Sequence, residues 1–450
     1  MTHTADLIVH ADRAVVDGIE QPATVVVNAG RVAAVLTGPD TSGEIGWQAT
    51  ATVTLDADHV LLPGMVDTHV HVNEPGRTDW EGFATATRAA LAGGTTTIVD
   101  MPLNSLPPTT TAAALETKRD AARPQVWVDV GFWGGAIPGN LDDLEKLDAA
   151  GVFGFKCFLA DSGVPEFPPL AADELVTYLR RCAELDALLI VHAEDAATLA
   201  ATPPTQSNRY TDFTASRPDA GEVTAIEAVI AAAEETGGRA HILHLSSAAA
   251  LPAIRAARER GVRLTVETCP HYLTFTAETI RDGSTAHKCC PPIRSDANRS
   301  QLWEALADGT IDCVVSDHSP STIDLKQGDL ASAWGGVASV QLALSAVWTE
   351  ARRRGHTLAD VTGWMASAPA DLVGLRQKGR IAVGADADLV AYSPDVETAV
   401  DAATLQHKSK LTAYQDLTLA GRADRIWLRG NEIGLDRSPT GTLLRHERTP

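Results

Sequence analysis

Basic residues are scarce in this 450-residue chain. Lys+Arg 37 against Asp+Glu 58 gives a formal net charge of -21, which disfavours nucleic acid and anionic membrane surfaces as partners. No apolar run reaches about 18 residues, the length that a membrane-spanning helix needs. The start, MTHTADLIVH, lacks the basic region and the long apolar core of a signal peptide. The sequence therefore predicts a cytoplasmic protein with neither a nucleic-acid nor a membrane partner.

Paired cysteines are also lacking. The chain has 6 cysteines and no C-x-x-C pair, so neither a disulfide framework nor a zinc ribbon is expected. We interpret them as reduced, mostly buried thiols. No G-x-G-x-x-G loop follows any apolar run, which argues against dinucleotide binding.

Both ends of the chain carry short β-rich runs separated by turns. Examples are the stretch TVVVNAGRVAAVL, with a hairpin turn at Asn28-Ala29-Gly30, and AGRADRIWLRGNEI near the other end. We expect both ends to form one small, discontinuous β-sandwich domain of residues 1–58 and 379–450.

Residues 59–378 alternate apolar strand candidates with amphipathic helix patterns, the signature of a parallel α/β fold. The eight candidates are residues 60–67, 95–101, 126–133, 154–159, 188–194, 240–247, 263–269 and 311–317. Eight such units predict a TIM-type (β/α)8 barrel, whose active site lies at the carboxyl ends of the strands. An open, doubly wound sheet is the alternative, and it is disfavoured by the missing phosphate loop.

The stretch VLLPGMVDTHVHVNEP contains His69 and His71, separated by one residue. Side chains two residues apart on a strand project to the same face, so both imidazoles can hold one metal ion. A pair of this kind alone is more often one packed and one solvated histidine. Its meaning depends on ligands elsewhere in the chain.

Such ligands lie within the later strand candidates, toward their carboxyl ends. They are Lys156, His192, His244 and Asp317. Each histidine alone could be a hydrogen-bonded core residue, and Asp317 could cap the next segment. Together they exceed what one four-coordinate zinc takes and suit two metal ions about 3.5–4 Å apart.

Lysine becomes a ligand only if CO2 adds to its amine and forms an anionic carbamate that can bridge two cations. This reaction needs a lysine whose pKa is lowered, and burial beside cations lowers it. Lys156 stands in the apolar run GFKCFL, which favours burial over a side chain that reaches the surface.

These motifs resemble the cyclic amidohydrolases, the family of dihydroorotase, hydantoinase and allantoinase. The resemblance covers essentially the whole chain and includes VDTHVH, FKCFLADSG, VHAED, HLSS and SDHSP. MPLNSLPPTT, GVPEFP, ETCPHYLTF, CCPPIR and AWGG are most similar to the allantoinase branch. The resemblance implies hydrolysis of the ring amide of (S)-allantoin to allantoate in purine degradation.

The resemblance also implies roles for individual residues. His69, His71 and Asp317 would hold one metal ion, His192 and His244 the other, and carbamylated Lys156 (N6-carboxylysine) would bridge them. Asp317 would move the proton of the reaction. Zinc is expected, with cobalt, manganese or iron as alternatives, and the family implies a homotetramer.

Asn73, Asn104, Cys290 and Gly335 are the predicted substrate-binding residues. Dihydroorotases typically have an arginine two residues after the second histidine, where it clamps the substrate carboxylate; this chain has Asn73 there. An amide suits a neutral ureido group better. The ranking is therefore allantoinase, then hydantoinase or dihydropyrimidinase, then dihydroorotase. A non-catalytic scaffold of the same fold is disfavoured because all six ligand positions are present.

Overall fold

A computed structural model describes residues 3–38, 46–205 and 207–447. Parts of the predicted sandwich domain, at residues 1–2, 39–45 and 448–450, lie outside this range. The strands are β1 (His3–Val16), β2 (Ile19–Asn28), β3 (Arg31–Thr37), β4 (Trp47–Thr54), β5 (Val60–Pro63), β6 (Met65–Val70), β7 (Thr95–Asp100), β8 (Asp129–Phe132), β9 (Gly134–Gly135), β10 (Phe155–Phe158), β11 (Leu188–His192), β12 (Arg239–Ile242), β13 (Leu264–Thr268), β14 (Cys313–Val314), β15 (Leu389–Ala399), β16 (Thr418–Leu428) and β17 (Asn431–Ile433).

Helices lie between the central strands and after them. They are α1 (Phe83–Ala92), α2 (Ala112–Ala122), α3 (Leu144–Ala149), α4 (Ala172–Glu184), α5 (Ala196–Ala201), α6 (Tyr210–Ala215), α7 (Asp219–Thr236), α8 (Leu251–Glu259), α9 (Pro270–Thr274), α10 (Asp296–Ala307), α11 (Ala343–Arg353), α12 (Leu358–Thr362) and α13 (Ala368–Leu372). Within the residues that the structure describes, no helix is both long and apolar enough to cross a membrane.

Strands from both ends of the chain share one eight-stranded sheet. Its order is β17-β16-β15-β5-β1-β2-β3, and β4 pairs with β1. The predicted hairpin turn joins β2 to β3 through Ala29 and Gly30, both with positive φ. Two such residues match the right-handed twist of the flanking strands, which explains the tight turn.

The central strands form two parallel sheets. One has the order β14-β13-β12-β11-β10-β9 and the other β6-β7-β8. Only Trp133 separates β8 from β9, and a parallel bridge joins Val70 of β6 to His318 beyond β14. Most of these strands are buried along their whole length, as expected for a parallel sheet covered on both faces.

Three predicted strands end or divide differently in the structure. The predicted strand 60–67 divides at Gly64, because β5 joins the eight-stranded sheet and β6 starts a parallel one. A Cβ at Gly64 would overlap the side chain of Thr96. The predicted strands 240–247 and 311–317 are shorter, and His244 and Asp317 lie beyond them with φ of 36° and 44°. A left-handed residue cannot continue a β ladder.

Candidate metal centre and active site

All six predicted metal ligands line one cavity of about 710 Å³. They lie in, or just beyond, five parallel strands, namely β6, β10, β11, β12 and β14. His69 is in β6, Lys156 in β10 and His192 ends β11, while His71, His244 and Asp317 follow their strands. Parallel strands end on the same side of a sheet, which is why residues so distant in sequence meet here.

The first donor group consists of His69, His71 and Asp317, whose ligand atoms all lie within 4.8 Å of one another. Oδ1 of Asp317 lies 3.1 Å from Nε2 of His69 and 3.7 Å from Nε2 of His71. Nζ of Lys156 is 3.4 Å from Nε2 of His69. Nitrogen and carboxylate donors converge at this point.

The second donor group is the pair His192 and His244. Nδ1 of His192 lies 3.0 Å from Nε2 of His244. The ring of Phe158 stacks on His192 with centroids 4.5 Å apart. This packing holds the imidazole plane toward His244.

Two buried glutamates decide which nitrogen of each ring carries a proton. Nδ1 of His69 donates to Oε1 of Glu267 at 2.5 Å, which leaves its Nε2 lone pair facing Asp317 and Lys156. Nε2 of His192 donates to Oε2 of Glu194 at 2.9 Å, which leaves its Nδ1 lone pair facing His244. A carboxylate behind a ligand histidine is a common way to orient the ring.

Burial lowers the pKa of all four imidazoles and is the largest cause in each case. Burial also lowers the pKa of Lys156, against the opposing charge of Asp317. It raises the pKa of Asp317, against the opposing charge of Lys156. The histidines are therefore neutral, the form that binds metal.

Several site residues adopt a backbone conformation that side chains rarely take. The φ angles are positive at Asn73, Asn104, His244 and Asp317. Such conformations cost free energy and gather at functional sites, where the surrounding structure imposes them.

Three of the four predicted substrate-binding residues line the cavity, namely Asn104, Cys290 and Gly335. Oδ1 of Asn104 is buried and has no hydrogen-bond partner among the described residues. Sγ of Cys290 would lie 3.8 Å from a Cβ at Gly335, so these two residues are neighbours. The three residues together offer polar side-chain or backbone groups that can orient a cyclic amide.

The structure does not bring Asn73 to this cavity. The residue is fully buried, and its amide donates to the carbonyl of Pro320 at 3.2 Å. Asn73 also has a positive φ of 66°.

Sequence reasoning missed Glu194, Glu267 and Arg217. Glu194 stands in the motif VHAED and Glu267 in ETCPHYLTF, so a carboxylate beside each predicted ligand strand was an available signal. Arg217 follows α6, and its guanidinium donates to both oxygens of Glu194, at 2.9 and 2.5 Å. Nothing in the local sequence pairs Arg217 with Glu194.

The donor chemistry fits divalent metal ions. Neutral imidazole nitrogens with oriented lone pairs, together with one carboxylate, form the set that zinc and similar ions bind. Nδ1 of His192 and Nε2 of His244 face each other at 3.0 Å, and Nδ1 of His244 is buried with no hydrogen-bond partner among the described residues. The residues present are thus suited to metal binding.

Comparisons with known proteins agree with this chemistry. A model described as the amidohydrolase family matches residues 60–433. The chain is 56% identical over 445 residues to an allantoinase of Streptomyces avermitilis, covering 98% of this chain and 99% of that protein. It is 44% identical over 452 residues to an allantoinase of Saccharomyces cerevisiae, covering 96% and 97%. Among solved structures, an L-hydantoinase (dihydropyrimidinase) from Arthrobacter aurescens gives a TM-score of 0.91 at 29% identity, covering 98% and 100%.

Proposed function

The chain belongs to the amidohydrolase family, and we propose that it hydrolyses the ring amide of allantoin, giving allantoate in purine degradation. The observation that carries this function is the convergence of all six ligand positions on one cavity in a chain that is 56% identical to an allantoinase over nearly its whole length. Hydantoinase activity is the second candidate, because the hydantoinase structure has nearly the same fold. Its 29% identity makes it the weaker one.

Two divalent ions are proposed as cofactors. His69, His71 and Asp317 would hold one ion, His192 and His244 the other. Bound there, the ions would supply Lewis acidity, polarising the ring carbonyl and lowering the pKa of water. Zinc is the proposed metal, and cobalt, manganese or iron suit the same donors.

Lys156 is proposed to carry a carbamate that contacts both ions. The neutral amine adds to CO2 and gives a carbamate with release of one proton. Only an unprotonated amine can react, and burial, which lowers the pKa of Lys156, favours that form. Its Nζ already lies 3.4 Å from ligand His69.

Asp317 is proposed to move the proton of the reaction. Its carboxylate accepts a proton from the attacking water and delivers it to the ring nitrogen as the C–N bond breaks. The residue lines the cavity, and its Oδ1 lies 3.1 Å from His69. Its position therefore allows both transfers from one carboxylate.

Asn104, Cys290 and Gly335 are proposed to orient the substrate ring, because they line the same cavity. Asn73 remains a predicted substrate residue without a contact to this cavity. Its effect on substrate choice would have to pass through the loop that it holds to Pro320.

Finer features of the architecture are proposed as well. The bridge between Val70 and His318 supports closure of the parallel strands into an eight-stranded (β/α)8 barrel. The eight-stranded sheet supports a small β-sandwich domain built from both chain ends. Its first boundary moves from residue 59 to Gly64, because β5 pairs with β1 and β15. The cytoplasmic location rests on composition and the homotetramer on the family resemblance alone.

The test is hydrolysis of allantoin by metal-replete protein, with Asp317→Asn as the matched control. The wild type should release allantoate. The variant should keep much of its metal, since an amide oxygen still coordinates, but should lose turnover because an amide cannot carry the proton. Equal turnover by a fully metallated variant would remove Asp317 from this role, and no turnover by the metallated wild type would remove the proposed function.

A further inference from the structure

One wall of the cavity contains an arginine to which the proposed reaction assigns no role. Arg217 lies between α6 and α7, and its side chain is 22% exposed. It lines the same cavity as the metal ligands, and it is the one arginine among the described residues that do so. Pro218 follows it, which favours an extended backbone at Arg217.

Two of the three guanidinium nitrogens of Arg217 are occupied. Nε and Nη2 donate to the two oxygens of Glu194, which in turn accepts from Nε2 of His192. Nη1 has no hydrogen-bond partner in the part of the chain that the structure describes. Both N–H donors of Nη1 are therefore unused, on a residue that lines the cavity.

Lys288 is a second cation of this wall, and two of its three N–H donors are already used by backbone carbonyls. Nζ of Lys288 donates to the carbonyls of Ala331 and Ala333, at 3.0 and 2.5 Å, and so holds the loop before Gly335. Lys288 and Arg217 thus have different tasks, although both line the cavity.

Charge balance decides which ligand group Arg217 suits. Its bidentate pair with Glu194 neutralises the guanidinium, and Glu194 is 1% exposed. An arginine that is already paired can still donate to a carbonyl oxygen, but it does not supply the unpaired positive charge that a buried carboxylate needs. A neutral carbonyl is the better partner.

We propose that Arg217 recognises the ureido carbonyl of the substrate, through Nη1, and is a specificity-determining residue. The proposal rests on the proposed function, because allantoin carries an uncharged ureido tail on the ring that is opened. The same guanidinium also holds Glu194, which orients the metal-ligand candidate His192. Arg217 would therefore both recognise the ureido tail of the substrate and support His192.

The test compares allantoin with hydantoin, which has the same ring without the tail. For Arg217→Lys and Arg217→Gln, the ratio of kcat/KM for allantoin to that for hydantoin should fall about tenfold or more, mainly through the KM for allantoin. The ratio is measured within one preparation, so it is unaffected by loss of metal or of folded protein. If hydantoin is not hydrolysed, its inhibition constant against allantoin replaces its kcat/KM and should stay unchanged.

Glu194→Gln separates the two tasks of Arg217. The variant should lower the rates with both substrates through His192. It should also leave Arg217 with an unbalanced charge, and dihydroorotate, which carries a carboxylate, should then inhibit more strongly than it inhibits the wild type. An unchanged allantoin to hydantoin ratio in both Arg217 variants would overturn the proposal and leave Arg217 as a support for Glu194. Failure of the wild type to hydrolyse allantoin would instead refute the proposed function.

Discussion

Replacement of Glu267 by glutamine tests how the site holds its first ion. The Glu267 carboxylate is 1% exposed and accepts three hydrogen bonds. Oε1 accepts from Nδ1 of His69 at 2.5 Å and from the backbone of His244 at 3.2 Å, and Oε2 accepts from Nε2 of His241 at 3.0 Å. Glutamine has one accepting oxygen and one NH2 group, so one donor must lose its partner.

The expected loss of zinc affinity follows from the tautomer of His69. If the NH2 group of the glutamine faces His69, Nδ1 of the ring no longer has an acceptor for its proton. The lone pair on Nε2 is then no longer fixed in the direction of an ion. Loss of such an orienting partner lowers metal affinity about 10- to 100-fold, which corresponds to roughly 1.4–2.7 kcal/mol. We expect Glu267→Gln to weaken zinc binding by that factor.

The assay is competition for zinc between the metal-free protein and a chromophoric chelator. Glu235→Gln is a matched control, because Glu235 forms only an exposed pair with Arg180, and it should bind zinc like the wild type. The midpoint of thermal unfolding of each metal-free variant reports any general loss of stability. Zinc affinity of Glu267→Gln within twofold of the wild type would refute the orienting role of Glu267.

Three further predictions concern other parts of the molecule. Lys156→Ala should abolish allantoin hydrolysis and be partly rescued by short-chain carboxylates plus metal; full activity without rescue would exclude the carbamate. Lys378→Met should cost about 3–5 kcal/mol in urea unfolding at neutral pH, because Nζ lies 2.6 Å from Asp129 in a buried charge cluster. Asp129 keeps its pair with Arg429, but buried Asp388 loses the ammonium that lies 2.7 Å away. The pKa of Asp388 then rises further in the folded state, so the loss of stability should shrink as pH falls toward about 4–5; a loss independent of pH would contradict this. Asn104→Ala should raise the KM for allantoin about two- to tenfold, whereas Asn73→Ala should lower the unfolding temperature and leave KM unchanged, and the reverse pattern would place Asn73 in the site.

The meeting of the six candidate ligand positions at one cavity could be predicted because each signal is local. His69 and His71 share a strand face by spacing alone, and the apolar run around Lys156 indicates its burial. The parallel order of the strands then brings these positions together. Each step needs only the residues near the ligand and the periodicity of the segments between them.

The partners of the ligands could not be predicted in this way. Glu267 is 198 residues from His69 in sequence, and their contact depends on the side-by-side packing of separate strands. Asn73 differs in the opposite way: the family resemblance suggests a place for it in the site, whereas in the structure its amide donates to the carbonyl of Pro320 and it does not line the cavity. Local spacing does not reveal a change in backbone direction.

The most direct test of the proposed function is the ratio of kcat/KM for allantoin to that for dihydroorotate, measured on metal-replete wild-type protein. The one arginine that lines the cavity among the described residues, Arg217, is already paired with Glu194, and Lys288 donates to two backbone carbonyls, so no guanidinium is free to clamp a substrate carboxylate in bidentate fashion. We predict a preference for allantoin of at least about a thousandfold, equivalent to roughly 4 kcal/mol. Comparable values for the two substrates would contradict the proposed function.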